Sequence, residues 1–304
     1  MAFPTPPHFS SIENALTSLF GDGVTIKYTD RLSGGDINEA YALTLSDNSR
    51  IFMKSNAKDN IGFFTAEAVG LSAIAQTHTI QTPRILCSGC SENAHGYSFL
   101  LLELIDGKRP IHNYWETFAH QLAAMHKAPA ADFVPQGMFG FCQDNYIGSG
   151  TQCNTPHRNW ITFFRDCRLE PQFKAAANYF DTTELAKITR LLDKLEEFLL
   201  EPEHPSLLHG DLWSGNFLTG NDGKAWLIDP AAYVGHAEAD IAMTELFGGF
   251  PANFYAAYQE SAPMQPGYQQ RRDLYNLYHL LNHLNLFGGA YLSSVKHIIQ
   301  KYIP

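Results

Sequence analysis

Apolar positions recur at helical intervals over residues 11–20, where Ile12, Leu16 and Leu19 share one face and Ser10 or Ser11 can cap the start. Residues 24–28, 40–45 and 50–54 read as strands, separated by Ser33, Gly34, Gly35 and Asp36 and by the Asp47-Asn48 turn pair. A helical pattern over 63–76 and a nearly unbroken apolar run over 98–105, the signature of a buried strand, complete a sheet-plus-helix region. Beyond Asp106-Gly107 the period changes. Residues 114–126, 160–167, 183–200 and 274–287 are all patterned as helices. The pattern therefore predicts an α+β chain of two lobes, a small antiparallel sheet-plus-helix N-lobe over 1–105 and a larger, mainly helical C-lobe over 106–304. The hinge is expected within 103–108 and a cleft between the lobes.

Composition narrows the function classes. The chain has 304 residues, 45% of them hydrophobic and only 17% charged, far from a disordered composition. With 21 Lys plus Arg against 31 Asp plus Glu, the net charge of −10 has the wrong sign for a phosphate-backbone binder, so no nucleic acid partner is expected. Residues 1–26 hold no Lys or Arg, which argues against a secretory or transit signal, and the longest dense apolar stretch, over 99–105, is too short to cross a bilayer. No membrane partner is expected. Five cysteines without a regular framework suit reduced thiols, and a cytoplasmic location is expected. Cys87 and Cys90 form a C-x-x-C near His95, but the second half of a zinc site is missing and the segment reads as an ordinary loop.

Chemistry concentrates in residues 207–216. There His209, Asp211 and Asn216 stand in an H-x-D-x-x-x-x-N arrangement, the catalytic-loop spacing of kinases. In that chemistry Asp211 accepts the proton of an attacking hydroxyl and the Asn216 amide oxygen ligates magnesium. Thirteen positions on, Leu227-Ile228-Asp229-Pro230 delivers a second carboxylate after an Asn221-Asp222-Gly223 turn, and Asp229 is the expected second magnesium ligand. The alternative is that Asp229 only caps a turn before Pro230. Lys54 ends the third strand and Glu67 follows thirteen residues later in the next helix, the order in which a kinase pairs its phosphate-binding lysine. Two unrelated solvated charges are the bland alternative. Gly34 and Gly35 can fold backbone N–H groups over phosphates, although a simple hairpin turn has the same sequence. Glu103 and Ile105, at the lobe junction, complete the expected nucleotide-binding set. His209 is read as a brace for the loop and not as a catalyst.

These residues together resemble the fructosamine kinase, or ketosamine-3-kinase, family within the protein-kinase-like, aminoglycoside-phosphotransferase-like fold. The resemblance spans nearly the whole chain, through Gly34-Gly35, Lys54, Glu67, Asp144-Asn145-Tyr146-Ile147-Gly148, Gln152, Asn154, Trp160, residues 209–216, Ile228-Asp229-Pro230-Ala231, Glu238, Asp240 and residues 281–288. Trp213, following the catalytic aspartate in Asp211-Leu212-Trp213-Ser214-Gly215-Asn216, separates this group from kinases that share only the His-Gly-Asp core. The resemblance implies ATP-dependent phosphorylation, with Mg2+, of the 3-hydroxyl of a sugar held as a ketoamine, whose phosphate ester then breaks down and frees the amine. Ribulosamine or erythrulosamine acceptors are preferred over fructosamine. Trp213, Asn145 and His283 are the expected substrate contacts, a core histidine being the alternative for His283. Where the family usually has an acidic and then a basic residue, this chain has His236 and Ala237, which puts local contacts in doubt. Two rival readings share much of this pattern: a kinase for an amino alcohol or aminoglycoside, and a non-catalytic kinase-like binding module.

Overall fold

Residue His8 starts the first strand of a six-stranded sheet. The computed structural model describes residues 6–32, 37–91 and 96–304. Strand β1 (His8–Phe9) is followed by α1 (Ile12–Phe20), capped by the Ser11 hydroxyl, which accepts from the Asn14 amide at 3.1 Å. Then come β2 (Ile26–Leu32), β3 (Glu39–Leu45), β4 (Arg50–Ala57), α2 (Ile61–Gln76), β5 (Ile85–Cys90) and β6 (Tyr97–Glu103). They form one six-stranded sheet in the order β1-β5-β6-β4-β3-β2, antiparallel except for the β1–β5 pair. Strand β4 is central, and its side chains alternate between two cores. Ile51 and Met53 join Leu16, Leu43, Phe99 and Leu101 on the α1 side. Phe52 packs with Phe64, Leu71, Leu100 and Leu102 on the α2 side. Lys54, two residues beyond Phe52, therefore takes the α2 face.

The predicted strands shift by a few residues, β2 lying over Ile26–Leu32 and not 24–28. The Cys87-x-x-Cys90 segment is a correction: it is strand β5, not a loop, and Cys87 is buried in the α1-side core. Continuous burial hid the strand, because Leu86, Cys87 and Gly89 carry no alternating pattern. Gly34, Gly35 and His95 lie outside the described residues.

The remaining elements are α3 (Tyr114–Lys127), β7 (Asn145–Ile147), β8 (Gly150–Gln152), α4 (Trp160–Phe164), α5 (Glu170–Ala175), α6 (Thr182–Asp193), α7 (Leu195–Phe198), β9 (Ser206–Leu208), β10 (Phe217–Thr219), β11 (Ala225–Leu227), β12 (Tyr233–Gly235), α8 (Ala237–Leu246), α9 (Ala252–Ser261), α10 (Tyr268–Phe287) and α11 (Leu292–Tyr302). The helix expected over 160–167 gives way after Phe164 to a π-helical turn over Arg165–Leu169. The one expected over 183–200 breaks at Lys194. Helix α10 begins at Tyr268, six residues before its expected start. Its polar first turns include Arg271, which is buried because it forms a two-pronged ion pair with Glu238, at 2.6 and 2.8 Å.

The chain divides into two compact units, Ala2–Tyr114 with Leu218–Asp229, and Trp115–Phe217 with Pro230–Pro304. The first unit runs past the expected 105/106 boundary and takes in the β10–β11 hairpin region. Backbone hydrogen bonds explain this: Lys108 N–H donates to Gly220 O at 3.3 Å, Ile111 N–H to Gly223 O at 3.0 Å and Leu227 N–H to Gln81 O at 2.9 Å. In the second unit β12 pairs antiparallel with β9, and α10 packs against α8, α11 and α5. No helix among the described residues is long and apolar enough to cross a membrane.

Candidate active site

In the sheet unit, three of the expected residues meet. The Lys54 ammonium, on the α2 face of β4, donates to Glu67 Oε1 at 2.8 Å and to Asp229 Oδ1. Burial alone would lower the Lys54 pKa, but the carboxylates of Asp229 and Glu67 outweigh it and hold the ammonium firmly charged. Glu67 is pushed up, chiefly by burial and further by Asp229, against the pull of Lys54. Two carboxylates share one ammonium, and the raised Glu67 pKa reflects that crowding, which a further cation would relieve. Asp229 sits just beyond β11 with φ +52°, in the left-handed region, and its side chain is 38% exposed. Left-handed backbone is tolerated by Asp better than by most side chains, and it turns the carboxylate out of the strand.

Glu103 and Ile105 lie on the same unit. Glu103 is tied to Arg84 through both its backbone N–H, donating to Arg84 O at 2.9 Å, and its carboxylate, accepting from Arg84 N–H at 3.2 Å. Ile105 is half-buried just after β6. Just before β3, Asn56 Nδ2 of β4 donates to Ile37 O at 3.1 Å and to Asn38 Oδ1 at 2.7 Å.

In the helical unit, the loop over residues 209–216 leaves β9 and is shaped by one buried carboxylate. Asp240, on α8, accepts from the backbone N–H of His209 at 2.7 Å and of Gly210 at 2.9 Å, and also faces His126 Nε2 at 3.2 Å. Burial pushes the Asp240 carboxyl up, but His126, His209 and the Gly210 N–H more than offset it, so its pKa lies below the ordinary value. Gly210 has φ +82°, and a Cβ there would stand 2.1 Å from Ala231 O, so only glycine fits this turn. The Asp211 N–H donates to His209 Nδ1 at 3.3 Å, the bracing role expected of that histidine.

Asn216 Nδ2 donates to Asp211 O at 2.8 Å and to Asp211 Oδ2 at 2.9 Å. The amide nitrogen is committed to Asp211, so the Asn216 amide oxygen is the end left to ligate a cation. Asn216 in the helical unit and Asp229 in the sheet unit each carry a hard oxygen donor of the kind Mg2+ takes. The other Asp211 oxygen, Oδ1, lies 3.9 Å from Nδ1 of His279, a buried group that makes no hydrogen bond through that nitrogen. Burial pulls His279 down to about 3, so it is neutral near pH 7.

Two of the three expected substrate residues share a neighbour. Trp213, 38% exposed, meets Phe247 edge-on at 6.3 Å between ring centroids, and Phe247 lies 4.9 Å from His283. His283 also packs on Phe287 and Tyr291 and sends Nδ1 to the His279 carbonyl at 2.8 Å. Asn145 is instead buried, donating to Ala232 O at 2.8 Å and accepting from Gln152 and Asn154, so its amide is committed to protein partners. His236, one of the departures from the family pattern, caps α8: its Nδ1 accepts from the Glu238 N–H at 3.2 Å. Sequence reasoning gave no role to Asp240, Phe247 or His279. Asp240 carried a usable signal, a carboxylate within the otherwise apolar stretch 239–243, which a buried helix can hold only with partners.

The sheet unit and the helical unit give the α+β fold of the aminoglycoside-phosphotransferase-like kinases. A crystal structure of a thermostable aminoglycoside phosphotransferase variant, bound to AMP-PNP and hygromycin B, is similar in fold at TM-score 0.62 and 18% identity, covering 96% of this chain and 98% of that one. The crystal structure of a fructosamine-3-kinase candidate from Haemophilus somnus 129PT matches at TM-score 0.84 and 29% identity over 97% of each chain. Residues 8–304 match the fructosamine kinase family model, and the chain belongs to that family. It is 39% identical over 306 residues to a probable ketoamine kinase of Synechocystis sp., covering 99% of each chain. It is 38% identical over 285 residues to a chloroplastic protein-ribulosamine 3-kinase of Oryza sativa subsp. indica, covering 93% of this chain and 81% of that protein.

Proposed function

We propose that the protein transfers the γ-phosphoryl group of ATP to the 3-hydroxyl of a ketosamine, with ribulosamine or erythrulosamine as the preferred acceptor and fructosamine as a weaker one. The observation that carries the reading is the Asp211 carboxylate, oriented by the Asn216 amide at 2.9 Å. Asp211 positions the acceptor hydroxyl and takes its proton, the role such an aspartate fills in phosphoryl transfer. Lys54, fixed by Glu67, pairs with the nucleotide phosphates, while Gly34, Gly35, Glu103 and Ile105 border the nucleotide. Asn216 and Asp229 would hold Mg2+, which when bound neutralises phosphate charge. Trp213 and His283, joined through Phe247, give the sugar or its amine-bearing portion an aromatic surface, and Asn145 positions the segment at Ala232. The sugar preference is supported by the similarity to a ribulosamine 3-kinase. The phosphorylated ketosamine would then break down and free its amine, a deglycation in the cytoplasm.

The test compares ribulosamine, erythrulosamine, fructosamine, an amino alcohol and an aminoglycoside at equal concentration with Mg-ATP, following ADP release and locating the ester by phosphorus NMR. A 3-phosphate formed fastest on the four- or five-carbon ketosamines is expected. Preferential phosphorylation of the amino alcohol or aminoglycoside would refute the acceptor assignment, and ADP release from none would favour a binding module.

A further inference from the structure

The helical unit holds a second reactive cluster that the proposed transfer does not use. The thiol of Cys153, just after β8, and that of Cys167, in the π-helical turn, are 3.5 Å apart, sulfur to sulfur. One side chain fixes both backbones: Arg168 Nη1 donates to Cys153 O at 2.6 Å and to Cys167 O at 2.9 Å, while Nη2 donates to Asn154 Oδ1 at 2.7 Å. Its guanidinium is itself clamped, fully buried, 3.9 Å over the Tyr233 ring and 4.6 Å over Phe163. A disulfide needs its sulfurs at about 2.0 Å, so closure asks for about 1.5 Å of sulfur movement, within reach of side-chain rotation on a backbone already held in place.

The two thiols are unlike. Cys153 is half-buried, and its sulfur contacts Thr155 Oγ1 at 3.4 Å. Burial raises its pKa, but the hydrogen bonds from Thr155 and Cys167 outweigh that and leave it lowered. Cys167 is buried, 4.0 Å from His157 Nδ1, and burial pushes its thiol up to about 12. The less buried, more acidic partner is the one a small oxidant reaches first.

We propose that Cys153 and Cys167 are a peroxide-reactive pair that closes a reversible disulfide, Cys153 attacking and Cys167 resolving. The Cys153 sulfur attacks one oxygen of hydrogen peroxide, the O–O bond breaks, and the departing hydroxide leaves as water with the Cys153 proton. The Cys167 sulfur then attacks the sulfenic sulfur, the S–O bond breaks, and the second hydroxide leaves as water with the Cys167 proton. Two thiols are oxidised and one peroxide is reduced to two waters.

The full-length protein is reduced, desalted, treated with hydrogen peroxide, alkylated and digested for mass spectrometry. A peptide linking Cys153 to Cys167, lost on dithiothreitol treatment, is expected, with Cys87 and Cys142 remaining alkylated. Cys153→Ser should abolish the link. Cys167→Ala should replace it with a sulfenic acid at Cys153 that dimedone traps, and the wild-type measurement stands even if that buried variant folds poorly. The oxidised wild type should also show a higher urea midpoint than the reduced form. A Cys153 thiol that stays alkylatable after peroxide, a link to Cys142 instead, or oxidation of Cys153 to sulfinic acid with Cys167 still free would each overturn the proposal.

Discussion

Asn216 donates one amide proton to Asp211 Oδ2 at 2.9 Å, while Asp211 Oδ1 faces Nδ1 of the neutral, buried His279 at 3.9 Å. One oxygen of the proposed base is thus held by the Asn216 amide and the other faces the His279 imidazole. The asymmetry comes from the loop over 209–216 on one side and α10 on the other.

Replacing Asp211 by Asn keeps the shape of the side chain and removes its ability to take a proton. Turnover should fall on the order of 10²–10⁴-fold with an unchanged melting temperature. Steady-state kinetics beside a thermal melt check this, and near-normal turnover would remove Asp211 from the role.

Lys54→Met takes away the cation that Glu67 and Asp229 both face. The catalytic efficiency with ATP should drop on the order of 10²–10³-fold. The larger part should appear in KM for ATP, because the lysine is assigned to phosphate binding. An unaltered KM would point to a purely structural ion cluster.

His279 gives a pH prediction whose sign follows from burial. Its folded pKa lies near 3, against about 6.5 when unfolded. Below pH 6.5 the unfolded chain therefore binds a proton that the folded chain refuses. Stability from this group is full above about pH 6.5 and is lost as the pH falls towards 3. His283 and Arg168 oppose protonation and Asp240 favours it, so the net shift stays downward. Urea unfolding of His279→Asn across that range should show a shallower loss than the wild type. Parallel curves would contradict the assignment.

Asp240→Asn tests a second group with the same sign, at lower pH. The carboxylate is held below its ordinary pKa, so its contribution is present above about pH 3.9 and lost as the pH falls further. Removing the charge from hydrogen bonds to His209 and Gly210 should cost about 2–3 kcal/mol in urea unfolding at neutral pH. The variant should lose turnover as well, because those same N–H groups set the loop that carries Asp211.

Much of this could be read from the chain itself. The strand reading over 50–54, after the Asp47-Asn48 turn, placed Lys54 at a strand end, and the helical period over 63–76 placed Glu67 within reach. The H-x-D-x-x-x-x-N spacing picked out Asp211 and Asn216. Other features depended on tertiary burial that local pattern does not encode. The polar start of α10 reads as solvent-facing until Glu238 is seen to neutralise Arg271. The break at Lys194 leaves little mark in a pattern that stays helical on both sides. Asn145 looked like an acceptor contact, but a buried amide must find partners, and it found them at Ala232, Gln152 and Asn154. The sulfur pair is fourteen positions apart in the chain and meets where Arg168 ties both backbone carbonyls to one guanidinium.

The grip of Asp240 on the two amides thirty residues upstream has a practical corollary. Random mutagenesis scored for dead enzyme should return hits on the buried face of α8 alongside those at the reaction centre. Those hits would mimic lost chemistry while leaving every reacting group intact, and restoring the helix, not the loop, is what should rescue them.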